Sequence, residues 1–255
     1  TGIVHMAPAF GEDDFKVCIN YGIITSHGDG IRCPVDRNGC FTEPISDEFQ
    51  GRNVKDCDKD FIDLMKADNS LFKRINTSHQ YPFCWRSDTP LIYKAVPSWF
   101  IEVTKIKDAM ISNCNETYWV PDHVKTKRFS NWLQDAKDWG ISRNRFWGTP
   151  IPIWTDGEEY ICISNAQELE KLAGLESGSI QDLHRENIDN IKIISPKTGK
   201  TLSRVEFVFD CWFESGSMPF SSQSYFKNPE YKYPADFIAE GLDQTRGWFF
   251  TLLII

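Results

Sequence analysis

The feature of this sequence that most constrains its fold is a strand–turn–helix pattern that occurs twice in its C-terminal part. Two short apolar runs, 205–209 and 236–239, have the composition of buried parallel strands, and each leads into a turn that contains glycine. Polar residues follow both runs, at the strand ends where ligands bind in open α/β sheets. We therefore expect a doubly wound α/β domain.

The turn after the second run contains a candidate ligand site. Glu240 and Gly241 follow the strand, and Asp243 and Gln244 stand at the start of the next helix. A strand-end carboxylate is costly unless it is paired, and a helix N-terminus favours a phosphate. These residues therefore suit a ribose and a carbonyl group next to a phosphate. The plainer alternative is that Asp243 only caps a helix, whose apolar face would consist of Trp248, Phe249, Leu252 and Ile255.

Composition narrows the class of protein. The net charge of the 255 residues is -8, which argues against a broadly basic nucleic-acid binder but leaves room for a local basic stripe. No apolar run reaches the ~18 residues that a membrane-spanning helix needs, so we expect no membrane partner. The eight cysteines include no CxxC pair, which argues against a closed zinc site and favours reduced thiols in the cytosol.

Turn residues and the spacing of apolar residues indicate a domain boundary and several secondary-structure elements. Pro82, Pro90 and Pro97 punctuate extended apolar pieces, so we place a domain boundary near residue 80. The run Asp36-Arg37-Asn38-Gly39 is typical of a hairpin turn, and the spacing over 54–69 predicts a helix. Residues 105–140 look mostly helical, and 155–205 form a small polar insertion. Because the chain starts abruptly and ends in an apolar run with no cap, we expect an internal segment of a longer protein.

The acidic run 12–14 and the basic, aromatic run 139–150 each have a structural and a functional interpretation. The helix dipole alone favours acids in a first turn, whereas a functional carboxylate would reach back across a turn toward His5 and hold a cationic amine. In the second run, Arg143 and Arg145 lie between two tryptophans, which suits contact with phosphates and bases. A solvated basic face is the alternative.

Two further motifs concern a possible metal and a possible pocket. Cys84 lies in a run that resembles half a zinc knuckle, with Ser87 where a second cysteine would be needed, so we expect no metal there. The run 209–219 follows a strand and combines aromatic residues with Glu214 and serines. This combination suits a pocket with an apolar wall, although Trp212 taken alone would be a core residue.

Together these motifs resemble the isoleucyl-tRNA synthetases of the eukaryotic cytoplasmic type, a family of class I aminoacyl-tRNA synthetases. The resembling segments follow the family order over nearly the whole chain: 2–14, 81–93, 139–152, 182–189, 209–219 and 240–248. The last segment separates the isoleucine family from its valyl and leucyl relatives better than the shared Ile-Ser-Arg-Asn-Arg stretch does. The resemblance implies a cytoplasmic enzyme that activates L-isoleucine with ATP and Mg to isoleucyl-adenylate and transfers the acyl group to tRNA(Ile).

The resemblance also implies a domain organisation. Residues 1–79 would be the C-terminal part of an inserted, β-rich editing domain that hydrolyses mischarged valine. Residues 80–255 would be the central part of a Rossmann-type catalytic domain, which is only partly contained in this chain. That part would include a helical insertion at about 105–138 and a small insertion at about 155–205.

Site residues follow from the resemblance position by position. The ribose and acyl part of the adenylate would be lined by Glu240, Gly241, Asp243 and Gln244. The isoleucine side chain would be walled by Trp212 and Trp248. In the editing pocket, Asp14 would hold the α-amino group of mischarged valine, and His5 would help to seat the tRNA end. Contacts to tRNA would come from Arg143, Arg145 and Trp147.

Departures from the family pattern limit what this chain alone would do. The cysteine pairs of bacterial relatives are missing, so zinc is not expected, and the HIGH-type and KMSKS-type signatures that bind ATP occur nowhere in these residues. We therefore expect the segment by itself to be inactive in aminoacylation. Two alternatives stay open: a non-catalytic synthetase-like module that binds tRNA or a partner, and a valyl- or leucyl-tRNA synthetase. Association with other synthetases is left undecided.

Overall fold

The computed structural model describes residues 2–26, 28–42, 45, 48–223, 228, 230 and 232–255. The chain folds into two compact units, Thr1–Pro97 and Ser98–Ile255. The division lies beyond the predicted boundary near residue 80, because the last stretch of the first unit bonds back to its own unit. The Lys94 ammonium donates to the carbonyl of Val35, and the Ala95 N–H donates to the carbonyl of Ala9 at 2.7 Å.

The described residues of the first unit form short helices and isolated bridges. Its helical elements are α1 (Glu12–Asn20), a 3-10 turn (Val54–Cys57) and α2 (Asp58–Ala67). The helix predicted over 54–69 is thus confirmed. Antiparallel bridges join Val35 to Phe41, Cys40 to Asn53 and Phe83 to Pro90. The β-rich character expected of 1–79 is not seen in the described part of the unit, because its loops form single bridges instead of ladders.

The predicted hairpin turn at Asp36–Gly39 is present. The Asp36 carboxylate accepts the N–H groups of Cys40 at 2.9 Å and of Asn38 at 2.8 Å, and these bonds lower the pKa of Asp36. Gly39 has a φ of +78°, which glycine adopts without steric cost. The Val35–Phe41 bridge closes the hairpin.

The second unit alternates helices with very short strands. Its strands are β1 (Phe100–Ile101), β2 (Trp139–Gly140), β3 (Ser142–Arg143), β4 (Ile153–Thr155), β5 (Tyr160–Cys162), β6 (Ile193–Ile194), β7 (Thr201–Arg204) and β8 (Val208–Phe209). Its helices are α3 (Val103–Glu116), α4 (Ser130–Gln134), α5 (Ala166–Ala173), α6 (Arg185–Ile188), α7 (Cys211–Ser221) and α8 (Trp248–Ile254). A π-helical segment (Val124–Phe129) precedes α4, and a 3-10 turn (Leu242–Arg246) precedes α8. The helices predicted within 105–140 are confirmed. None of the described helices combines the length and the apolar character needed to cross a membrane.

All strand pairs in the described residues of this unit are antiparallel. β1 pairs with β2, β3 pairs with β8, and a four-stranded sheet has the order β5-β4-β7-β6. The parallel strands predicted at 205–209 and 236–239 are therefore wrong, since β8 runs antiparallel to β3 and 236–239 has no strand pairing. Apolar composition shows that a segment suits a sheet, but the neighbouring strand decides whether a ladder forms and in which direction. The described fold is mixed α and β without a doubly wound sheet.

Two apolar cores organise the second unit. The first belongs to α3, the π-helical segment and α4, and it buries Val103, Met110, Cys114, Phe129, Leu133 and Ala136. Rings of α8 pack against it, with Phe249 edge-on to Trp119 and Phe250 edge-on to Trp132. The second core belongs to the four-stranded sheet with α5 and α6, and it buries Trp154, Ile163, Leu169, Ile188, Ile193 and Leu202. These elements occupy the range in which the small insertion was predicted.

A buried arginine, Arg204, joins the chain segment that enters the second core to the segment that leaves it. The Arg204 guanidinium donates to the carbonyls of Ile151 at 3.3 Å and Phe207 at 2.9 Å, which lie before β4 and after β7. It also forms an ion pair with Asp189. Burial lowers the pKa of Arg204, yet arginine stays protonated at neutral pH.

Helices α7 and α8 pack closely at a glycine. Gly216 is buried, and a Cβ atom placed there would lie 2.7 Å from Cδ1 of Ile255 and 3.0 Å from the carbonyl oxygen of Thr251. The predicted apolar face of α8 is only partly right. Phe249 packs on the first core as expected, whereas Trp248 and Ile255 contact α7.

We predict that Gly216→Ala weakens the α7–α8 contact. Overpacking of this kind costs about 1–3 kcal/mol, and the gain in helix propensity of about 1 kcal/mol offsets only part of it. Hydrogen exchange of the α7 and α8 amides in the full-length protein measures the change, which we expect as faster exchange. Ser221→Ala, at the exposed end of α7, is the matched control. Unchanged exchange in the Gly216 variant would contradict the prediction.

Candidate functional site

The predicted ligand residues lie around the junction of α7, the 3-10 turn and α8. Trp248 Nε1 donates to the carbonyl of Ser215 on α7 at 2.8 Å, and the Trp248 backbone N–H donates to Oε1 of Gln244 at 3.1 Å. Nε2 of Gln244 in turn donates to Oδ2 of Asp243 at 2.8 Å. Because both ends of the Gln244 amide have partners, its orientation is fixed.

Asp243 does not cap α8. The helix begins after Gly247 without a capping side chain at that position, and the oxygen of Gln244 accepts the N–H of its first residue, Trp248. Asp243 lies in the preceding 3-10 turn, where it is exposed. The capping alternative is therefore wrong, and the Asp243 carboxylate lies beside two other predicted ligand residues, Gly241 and Gln244.

Gly241 and Glu240 are exposed where the chain enters the turn. A Cβ atom at Gly241 would lie 2.5 Å from Oδ1 of Asp243, so any side chain there would displace that carboxylate. The glycine therefore keeps the carboxylate and the adjacent backbone accessible at the same place.

Trp212 reaches the same junction from α7. A Cβ atom at Gly247 would lie 2.9 Å from Cη2 of Trp212, so the indole ring covers the backbone of that glycine. Trp212 is still 40% exposed and is therefore not a core residue. The structure thus brings Trp212 and Trp248, both predicted as walls of a pocket, to one junction with Asp243 and Gln244.

Sequence reasoning missed Thr245, which is buried inside the 3-10 turn. Its hydroxyl donates to the carbonyl of Leu242 at 2.8 Å and accepts Nε–H of Arg128 at 3.2 Å. These bonds tie the turn to the π-helical segment. No sequence signal marks this role, because a threonine between Gln244 and an arginine has the pattern of a surface residue.

Asp210 is a second residue that sequence reasoning missed. The residue is 4% exposed, and its carboxylate accepts Nη2–H of Arg143 at 2.5 Å and Nε1–H of Trp139 at 3.1 Å. Its other oxygen accepts the Trp212 N–H at 3.3 Å, at the N-terminus of α7. The signal that could have identified it is an aspartate at the end of an apolar run, directly before a helix.

The three predicted tRNA contacts do not form one cluster. Arg143 donates to Asp210 and to two backbone carbonyls, although its side chain is 43% exposed. Arg145 and Trp147 lie exposed on the loop after β3. The Trp147 ring stacks on the His184 imidazole with centroids 4.2 Å apart and an interplanar angle of 14°.

In the first unit, Asp14 fixes a turn to the start of α1. Its Oδ2 accepts the Ala7 N–H at 2.8 Å, and the turn closes with a bond from the Phe10 N–H to the Ala7 carbonyl at 2.8 Å. Asp14 is half-buried, and His5 is exposed just before the turn. The predicted pair therefore lies at one turn, with the carboxylate held by the backbone.

The turn at Cys84 contains hydrogen-bond donors where a zinc knuckle has a second cysteine. The Ser87 hydroxyl, followed by the N–H groups of Arg86 and Ser87, lowers the pKa of the Cys84 thiol to about 7. Within the described ranges, no three His, Cys, Asp or Glu side chains are grouped as a metal site. An open cleft of about 540 Å³ on the same hairpin contains no predicted site residue; it is lined by Tyr81, Pro82, Leu91, Ile92, Tyr93 and Lys94.

Comparison with known proteins shows which family this chain resembles. Residues 20–255 match the family described as tRNA synthetases class I (I, L, M and V). The probable cytoplasmic isoleucine–tRNA ligase of Dictyostelium discoideum is 55% identical over all of this chain and 24% of its own length. The cytoplasmic isoleucine–tRNA ligase of Caenorhabditis elegans is 54% identical over all of this chain and 22% of its length. The isoleucine–tRNA ligase of Chlamydia caviae is also 54% identical, over all of this chain and 24% of its length.

The chain spans about a quarter of the length of these relatives. A solved Agrobacterium radiobacter LeuRS in a ternary complex with tRNA and LeuAMS covers 76% of this chain and 23% of its own. Its identity is 16% and its TM-score 0.31, too low to bear on the fold. The family match, by contrast, contains every residue of the α7–α8 junction and nearly the whole chain. The chain therefore belongs to the class I tRNA synthetases of the isoleucine, leucine, methionine and valine group.

Proposed function

We propose that the full-length protein is a cytoplasmic isoleucine–tRNA ligase that uses L-isoleucine, ATP with Mg, and tRNA(Ile). The observation that carries the proposal is the identity of 54–55% over the whole chain to relatives that are named isoleucine–tRNA ligases. The names of the two eukaryotic relatives include the word cytoplasmic, which supports the location.

The junction suits the binding and orientation of isoleucyl-adenylate. The exposed carboxylates of Glu240 and Asp243 would accept hydrogen bonds from the ribose hydroxyls, and Gly241 would let the sugar approach the backbone. The Gln244 amide already has a fixed orientation, so it would contact the acyl part without a large loss of side-chain entropy. Residues of this kind accelerate acyl transfer by positioning and by stabilising charge, because they need no rearrangement during the reaction.

Two tryptophans would wall the isoleucine side chain. Trp248 is anchored by its bond to Ser215, and Trp212 is held against Gly247. Both rings would therefore present rigid apolar area to the isoleucine side chain. Such a wall discriminates only weakly between isoleucine and valine, since one methylene group changes binding in a hydrophobic pocket by only about 10- to 200-fold.

That limit is the reason for proposing a second, hydrolytic site in the first unit. Asp14 would hold the α-amino group of mischarged valine, and His5 would help to seat the tRNA end. The bond to the Ala7 N–H supports this role, because it holds the carboxylate at the turn that follows His5. A negative charge in this position favours a cationic amine.

The direct test of the proposal is amino-acid-dependent exchange of pyrophosphate into ATP by the full-length protein. We expect isoleucine to support the fastest exchange, with valine slower by roughly 10- to 200-fold in kcat/KM. Faster exchange with valine or leucine would assign the protein to a sister enzyme. No exchange with any amino acid would favour a non-catalytic module that binds tRNA.

We predict that Trp248→Ala raises the KM for isoleucine about tenfold or more, because burial of a large apolar side chain contributes about 1.5–3 kcal/mol. Trp248→Phe is the matched control, since it keeps an aromatic ring in the wall and loses the bond to Ser215 together with the second ring of the indole. Its KM should change much less. An unaltered KM in the alanine variant, measured by the same exchange reaction, would contradict the placement of Trp248 in the wall of the isoleucine pocket.

We predict that Asp14→Ala lets Val-tRNA(Ile) accumulate while isoleucine-dependent exchange continues. Asp14→Asn separates charge from structure, because an amide oxygen can still accept the Ala7 N–H but does not attract an ammonium group. Both variants should therefore mischarge tRNA with valine. Misacylation equal to that of the wild type in both would exclude Asp14 from editing.

A further inference from the structure

An exposed aromatic stack lies on the loop between β3 and β4. The Trp147 ring lies parallel to the His184 imidazole, and it is nevertheless 67% exposed. Since His184 covers one face of the indole, an exposure this large leaves the opposite face open to solvent.

The loop that carries Trp147 is held in place by contacts with Arg185 of α6. Arg185 donates Nη1–H to the carbonyl of Arg145 at 2.7 Å, and its guanidinium lies 5.5 Å from the centre of the Phe146 ring. Arg185 also forms an ion pair with Asp189 at 2.9 Å, and Asp189 in turn pairs with the buried Arg204. The position of the loop is thus set by a network that reaches into the second core.

Both partners in the stack are restrained as well. The Asp182 carboxylate accepts the backbone N–H of His184 at 2.8 Å and contacts its Nδ1 at 2.6 Å, so the imidazole has a fixed orientation. After Trp147, Gly148 has a φ of +149° and its Cα lies so close to Val208 that an added Cβ would be 3.1 Å from a methyl carbon. The stack is therefore preorganised.

Charges of both signs surround the stack. Arg185 and the buried Arg204 are paired with Asp189, the Asp182 carboxylate contacts His184, and Oε1 of Glu214 accepts the Thr149 N–H at 3.0 Å. Arg145, two residues before Trp147 on the same loop, is exposed and supplies a cation on this surface. An open aromatic face next to an unburied cation is the combination with which proteins bind the bases and phosphates of single strands.

We propose that the Trp147–His184 stack is a platform for an unpaired base of the tRNA 3′ end; the identity of this ligand rests on the proposed function. The base stacks on the open face of Trp147, and Arg145 contacts the adjoining phosphate. His184, Arg185 and Asp189 are positioning residues, because they hold the indole and do not reach the ligand themselves. Arg143 is not part of the platform, because its guanidinium is already engaged by Asp210 and by two backbone carbonyls.

The experiment measures the affinity of the full-length protein for two tRNA(Ile) transcripts, one with its unpaired 3′ end and one cut back to the last base pair. We expect Trp147→Ala to weaken binding of the intact transcript about tenfold, within the range for loss of one stacked base. The same variant should not weaken binding of the shortened transcript. Trp147→Phe keeps a stacking face and should lose less than threefold.

Tyr118→Ala is the matched control, because Tyr118 is an aromatic residue of the same unit that is 91% exposed. It should bind both transcripts as the wild type does. A second readout uses 2-aminopurine in the unpaired 3′ end, whose fluorescence we expect to be quenched by the wild type and not by Trp147→Ala. A purely structural role of Trp147 would not distinguish the two transcripts.

Two outcomes overturn the platform: affinity for the intact transcript within twofold of wild type in Trp147→Ala, or an equal loss for both transcripts. Failure of the proposed function is a separate result, because it would appear as missing isoleucine-dependent exchange in the wild-type protein. The comparison of the transcripts needs no amino acid and tests the platform in either case.

Discussion

The buried carboxylate of Asp210 is the interaction on which the geometry of the second unit depends. It joins the Trp139 indole of β2, the Arg143 guanidinium of β3 and the first turn of α7. Replacing Asp210 would remove all three contacts at once, and loss of its cap on α7 alone costs about 0.5–2 kcal/mol. The helix that carries Trp212 and Gly216 therefore has its N-terminus fixed to two strands, and α8 is placed in turn by its contact with α7.

From this anchor the candidate site is built mostly by hydrogen bonds to the backbone. Trp248 bonds to the Ser215 carbonyl, Gln244 accepts the N–H of Trp248, and Thr245 bonds to the Leu242 carbonyl. Such bonds orient a side chain without depending on another mobile side chain. The exposed groups of the junction, Glu240 and Asp243, are consequently presented by a rigid support, which is the arrangement that binding of a specific ligand needs.

Local features of the fold could be predicted from the sequence because their causes are local. The hairpin at Asp36–Gly39 and the helices within 54–69 and 105–140 follow from turn chemistry and apolar spacing over a few residues. Strand direction could not be predicted, because it depends on a neighbour distant in the chain: β8 pairs with β3. The same limit explains why Asp210 and Thr245 were missed, since their partners are remote in sequence. From the sequence alone, Arg143 looks like a surface cation, and only its contact with Asp210 in the structure reveals its structural role.

The contact of the buried Arg204 with both ends of the second core affects which changes in loop length this unit can tolerate. The Arg204 guanidinium donates to the carbonyls of Ile151 and Phe207, and the Ile151 N–H donates to the Phe207 carbonyl at 3.1 Å, so the two ends of the second core lie side by side. Whatever lies between those ends is a closed loop with its own apolar interior, and its length is decoupled from the distance between β3 and β8. Loops such as that between β5 and α5 can therefore lengthen or shorten without moving the α7–α8 junction.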